Sequence, residues 1–200
     1  MMMLPDLADF VSSALEIPNG TAVDRAKVLR GAGLLSVGKQ GPHGHGARMT
    51  NTDAINLLLA NILDHKRGAS VADNVQRVRD LPSTTGLVEM PHGFTRGLTL
   101  FDADTAGDAL DGILNDIRTG RLNAWAAGER WNATVTLDTC GARLFVSIGK
   151  PDKRNTHDLR EAMHAFALPG ENERKRLVDR SVTIAGEVFL QLAEALESTA

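Results

Sequence analysis

The chain has 200 residues, 42% of them apolar and 24% charged, a globular composition with room for one medium domain or two small ones. Aromatic residues reach only 4% and tyrosine is missing, which excludes a groove built from many rings; the single cysteine, Cys140, excludes a disulfide framework and a multi-cysteine metal centre. A formal net charge of −3 excludes a globally basic nucleic-acid binder, so any affinity for phosphate must come from how the charge is distributed.

The first element is a helix from Pro5 to Ile17, with Asp6 and Asp9 at its positive end and Leu7, Phe10, Val11, Ala14 and Leu15 as its apolar stripe. Pro18-Asn19-Gly20 turns the chain into a second helix, from a Thr21 N-cap to Gly31 or Ala32, with Gly33 at C′ and Ala22, Ala26 and Leu29 along one side. Leu34-Leu35-Ser36-Val37 and Ala47-Arg48-Met49 read as two short strands. They flank Gly38 to Gly46, too rich in glycine for a helix and suited to a hairpin tip. Thr50 and Asp53 open a third helix like a capping box, and Ile55, Leu57, Leu58, Leu59, Ile62 and Leu63 make it the centre of the N-terminal core. Ser70 and Asp73 cap a fourth, with Val71, Val75, Val78 and Leu81 inward, and Pro82 to Gly86 is the expected boundary.

Beyond it the pattern is α+β. Phe94 to Phe101 reads as a strand, and Asp104 or Thr105 caps a helix that buries Leu110, Ile113, Leu114 and Ile117 and ends at Gly120. Trp131–Leu137 and Ala142–Ile148 alternate apolar and polar around Asp138-Thr139-Cys140-Gly141, a hairpin signal. A helix over 156–168, a strand over 178–184 and a closing helix over 187–196 complete the expectation. Trp125 and Trp131 are read as core anchors, with a partner-binding patch as the alternative.

Charge is segregated. From Arg25 to Thr52 the chain carries Arg25, Lys27, Arg30, Lys39 and Arg48 with no acidic residue, and His43 and His45 add partial positive charge. The order helix, turn, basic helix, glycine-rich hairpin, helix resembles a winged helix-turn-helix, most nearly that of the MerR-type regulators. The matching stretches are Val28-Leu29-Arg30-Gly31-Ala32-Gly33-Leu34-Leu35, Gly38 to Gly46, and Met49-Thr50-Asn51-Thr52-Asp53. The family's aromatic after the recognition-helix arginine and its long dimerisation helix are not found. The chain is also similar in outline to regulators of phages and integrated bacterial elements. The resemblance implies a DNA interface of Thr21, Arg25, Lys27, Arg30, Lys39, His43, His45 and Arg48. In it Arg25 and Arg30 would read bases or phosphates from the major groove, while the wing and the second helix's N-terminus hold phosphate.

Other motifs carry less. Gly33 to Lys39 matches the start of a phosphate-binding P-loop, but Gln40 stands where Ser or Thr must hold magnesium, and a helix precedes the motif where a strand is needed. His43 and His45 make an incomplete metal set. His157 and Glu161, one helical turn apart if that segment is helical, read as a surface pair. The aspartates 102, 104, 108 and 111 suit a helix N-terminus, Ser147 has no nucleophile elbow, and no acid–base–nucleophile set assembles, so no enzyme and no cofactor are expected.

The expectation is an α+β protein in two parts: a winged helix in 1–81 and, in 87–200, antiparallel strands and helices for self-association, effector sensing or partner contact. It would be a cytoplasmic, sequence-specific transcriptional regulator that binds double-stranded DNA as a homodimer, with no membrane span and no targeting signal near Met1. The alternative is a non-enzymatic interaction module, a phage-type adaptor or inhibitor docking on a host protein.

Overall fold

The computed structural model describes residues 2–38, 46–63, 70–84, 94–138, 143–152, 155–168 and 181–197. The fold is α+β, and it divides into two compact units, Met1–Arg77 with Gln191–Ala200, and Val78–Leu190. Among the described residues, no helix is long and apolar enough to cross a membrane.

Three helices of the first unit, α1 (Leu4–Ala14), α2 (Asn19–Gly31) and α3 (Asn51–Ile62), each pack on the other two. α1 contributes Leu7, Ala8 and Val11 to the core, and α2 contributes Ala22, Ala26 and Leu29. Every residue of α3 from Asp53 to Ala60 is buried, so this helix is the centre of the bundle, as its apolar arc predicts. α2 has Pro18 at its N-cap, three residues before the expected Thr21, which lies inside its first turn. The expected strands 34–37 and 47–49 do not form. Side chains of α3, described below, take the polar groups of residues 34 and 36 that a ladder would use, and the Met49 N–H donates to the Met2 carbonyl at 3.1 Å.

α4 (Val71–Arg79) is started by Ser70, whose hydroxyl accepts the Asp73 N–H at 2.9 Å, and it buries Ala72, Val75 and Val78. The expected boundary at Pro82 falls inside the second unit, where residues 82–84 run along a sheet edge. The Thr84 N–H donates to the Ala165 carbonyl, and the Ala167 N–H to that of Pro82. Phe94 to Phe101 is not a strand. It forms a turn with Gly97 at φ +91° and a short 3-10 helix, Thr99–Phe101, because the buried Asp116 carboxylate accepts the Thr99 N–H at 2.7 Å and the Thr99 hydroxyl at 2.7 Å. Asp116 belongs to α5 (Ala106–Arg118), capped by the Thr105 hydroxyl and ended by Gly120 in the left-handed region. A short helix that the periodicity does not reveal, α6 (Arg121–Ala126), follows.

The sheet is antiparallel in the order β3-β2-β1-β4: β1 (Asn132–Asp138), β2 (Arg143–Asp152), β3 (Asn155–Ala167) and β4 (Ser181–Ala185). The β1–β2 pair is the expected hairpin, its turn lying outside the described residues. β3 replaces an expected helix. Leu159, Glu161, Ala162, Met163 and Ala165 are good helix formers, but ten residues paired in the ladder with β2 override that preference. The period-two signal was present in Ala162, His164 and Phe166, which share the buried face with Val135, Leu137, Leu144, Val146 and Ile184.

α7 (Gly186–Glu197) leaves β4 at once. A Cβ on Gly186 would stand 2.9 Å from the Ala133 carbonyl oxygen and 3.1 Å from its N, so only glycine lets the helix start against β1. Gly186→Ala is expected to lower unfolding stability by about 1–3 kcal/mol through this backbone clash. A denaturant titration reads it as a lower midpoint, whereas the solvent-side Ala185→Ser leaves the midpoint in place.

Candidate nucleic-acid interface

α3 begins with a reciprocal cap. Thr50 Oγ1 accepts the Asp53 N–H at 3.1 Å, and Asp53 Oδ2 accepts the Thr50 N–H at 2.8 Å. The same carboxylate takes the Ser36 N–H on Oδ1 at 2.7 Å and the Ser36 hydroxyl on Oδ2 at 2.8 Å. Asp53 is only 3% exposed, so four donors from two chain segments converge on a charge withdrawn from water. One turn along, Asn56 Nδ2 donates to the Leu34 carbonyl at 2.8 Å. Both arms of the glycine-rich segment, the one entering through Ser36 and the one leaving through Thr50, are therefore fastened to the first turns of α3.

The end of α2 is equally determined. Gly33, at φ +76°, donates its N–H to the Arg30 carbonyl at 3.1 Å, and the Leu34 N–H reaches the Leu29 carbonyl at 2.9 Å. That is a Schellman turn, and it explains Gly33 without any nucleotide. With helix running to Gly31, the strand that a P-loop requires is not there.

The expected interface residues go to different places. Thr21 is half-buried and its N–H donates to the Pro18 carbonyl at 2.9 Å, while the Asn19 side chain bonds Asp9. Arg25 turns inward: its Nη1 donates to the Ala60 carbonyl at 2.8 Å and lies 3.4 Å from Asn61 Oδ1. Partial burial lowers its pKa from the ordinary arginine value, and it acts as a fastener between α2 and the last turn of α3. Lys27 is exposed and paired with the exposed Asp24 at 2.9 Å. Arg30 and Arg48 are exposed, one at the end of α2 and the other two residues before the α3 cap. Lys39, His43 and His45 lie outside the described residues.

Among the described residues no cluster of three His, Cys, Asp or Glu is placed to hold a metal ion. In the second unit, Trp131 lines an open cleft of about 900 Å³ with Asn123, Glu129, Arg130 and Glu187. Trp125 is half-buried, edge-on to Phe94 and under the Lys150 ammonium. His157 and Glu161 are strand residues, so the helical spacing that related them does not apply.

One polar pair escaped the sequence pattern altogether. Ser83 Oγ lies 2.8 Å from His164 Nε2, across 81 residues of chain, and His164 Nδ1 lies 3.4 Å from the Leu100 carbonyl. The ring is stacked on Phe101 and tilted against Phe166. Ser83 and Thr84 give their N–H groups to the Asp104 and Ala165 carbonyls, so the pair adds a side-chain tie to the backbone bonds that hold residues 83 and 84.

No protein-family model, curated protein or solved structure matches the chain.

Asp53→Ala strands the donors of Ser36 and Thr50. It is expected to cost about 3 kcal/mol or more of unfolding stability, read from a denaturant midpoint. His164 supplies a pH dependence. Burial pushes its pKa below the ordinary 6.5, partly opposed by the Leu100 carbonyl, so on acidification the unfolded chain takes up the proton first. Its contribution is complete above about pH 6.5 and is lost as the pH falls from there toward the folded value. A thermal-melt series from about pH 7.5 to about pH 5 should fall less steeply for His164→Gln than for the native chain.

Proposed function

We propose that the first unit binds double-stranded DNA through the surface around the glycine-rich segment, in the manner of a winged helix-turn-helix regulator. The observation that carries this reading is the Asp53 clamp. It holds both arms of a segment bearing Lys39, His43 and His45 at one end of α3, with exposed Arg48 on the outgoing arm and exposed Arg30 just before the incoming one. Exposed cations beside the two fastened arms, Arg30 and Arg48, are of the kind a phosphate backbone recognises. Lys27 is partly neutralised by Asp24 and Arg25 is committed to α3, so base reading from α2 falls to Arg30. A role in transcription and an origin in a phage or mobile element rest on the resemblance to such regulators.

A second reading, the interaction module, is favoured by one observation. Val28 and Val37 are 45% and 61% exposed on the same stretch of chain, which suits a protein partner better than a phosphate.

Fluorescence anisotropy of the full chain against a labelled duplex, at several salt concentrations, tests the first reading. Arg30→Ala and Arg48→Ala are each expected to weaken binding about three- to tenfold and to reduce the salt slope by about one. Arg25→Ala instead lowers the melting temperature and leaves the slope unchanged. Absence of salt-dependent binding, or equal slopes for all three variants and the native chain, overturns the DNA reading.

A further inference from the structure

The two edges of the sheet are treated differently. At its 165–167 end the outer edge of β3 is met by residues 82–84, which exchange backbone hydrogen bonds with it. On the opposite side β4 pairs with β1, and among the described residues no strand pairs with its other edge. An antiparallel strand turns every second N–H and C=O away from its neighbour, so Ser181–Ala185 carries backbone groups that a further strand would satisfy.

Nothing in this segment defends it. Ser181-Val182-Thr183-Ile184-Ala185 contains no charge and no proline, its register with β1 is unbroken, and its residues favour strands. Exposed natural edges usually carry a lysine, a bulge or a proline against pairing. An edge without them fits one that is used.

We propose that β4 pairs antiparallel with β4 of a second copy of this chain, joining two sheets into one of eight strands about a two-fold axis. The occupant follows from self-complementarity. With five residues in register, Thr183 stands opposite the partner's Thr183, Val182 opposite the partner's Ile184, and Ser181 opposite the partner's Ala185. Val182 and Ile184 lie on the core side, so the apolar layer continues across the axis. On the other side Thr136 Oγ1 and Thr183 Oγ1 are already 3.2 Å apart, and the pairing extends this into a row of four threonines. No like charges meet at the seam. A symmetric, isologous contact of this kind closes at two copies. Five paired residues bury less than the usual 1,200–2,000 Å² or so of a stable interface, which makes the dimer reversible and concentration-dependent. The pairing stands independently of the DNA reading, and it supplies the two-fold arrangement that a palindromic site would need.

Sedimentation velocity of the full chain, from about 1 µM to about 1 mM, should show the mass rising from one chain toward two. Thr183→Lys sets two ammonium groups face to face on the axis. It should raise the dissociation constant at least about tenfold with an unchanged melting temperature, since Thr183 is exposed in the single chain. Thr183→Cys, in a chain also carrying Cys140→Ser, should be joined into a covalent dimer by a short bismaleimide, and this arm holds even if the lysine variant folds poorly. A single-chain mass throughout the series overturns the pairing. So does a dimer that survives Thr183→Lys while the Thr183→Cys chain yields no linked product.

Discussion

The first unit depends on a carboxylate placed out of reach of water. Asp53 closes the cap of α3 and also holds the chain that has just left α2, so one side chain specifies a helix start and the path of two irregular segments. A buried anion is costly unless donors surround it, and here the donors are backbone and hydroxyl groups that had no ladder to join. The second unit repeats the device. Asp116, fully buried in α5, draws in the N–H groups of Thr99 and Leu100 with the Thr99 hydroxyl, and Gly112 lets that segment approach to where a Cβ would stand 3.0 Å from Leu100 Cα. In both units an aspartate inside a helix organises a stretch that is neither helix nor strand.

This arrangement divides the cations of α2 by task. Arg25 is committed to the last turn of α3, where its guanidinium donates to the Ala60 carbonyl. Lys27 faces solvent beside Asp24, and an exposed pair of that kind contributes little to stability. Arg30 and Arg48 have no such duty to the core. A helix that carries three cations in its sequence therefore presents a narrower charged surface in three dimensions.

How much could be read beforehand depends on whether the governing contact was local. The caps at Thr50, Ser70 and Thr105 were legible because donor and acceptor lie three residues apart. The β1–β2 hairpin was legible from its alternation, and Gly33 from its place after a helix. The clamp on Ser36 was not, because it joins residues 17 apart; the one hint was Asn56, a polar residue inside the apolar run of α3. Ser83 and His164 meet only once β3 exists, and β3 itself was hidden by residues that prefer helices. Phe94–Phe101 failed as a strand for the same reason that 34–37 did: a distant aspartate claimed its amides. The expected interface residues could not be sorted from the sequence: charge segregation marked a stretch of chain, but only packing shows that Arg25 serves the core.

Fastening both arms to α3 has an evolutionary corollary. The stems close at Ser36 on one side and at Met49 and Thr50 on the other, so the insert hangs from the bundle by its two ends. Lengthening a closed segment is cheap, about 0.6 kcal/mol for each doubling. Relatives of this chain can therefore differ in the length and composition of that insert while keeping the same helical base, and an engineer can graft a foreign peptide there as into an antibody framework.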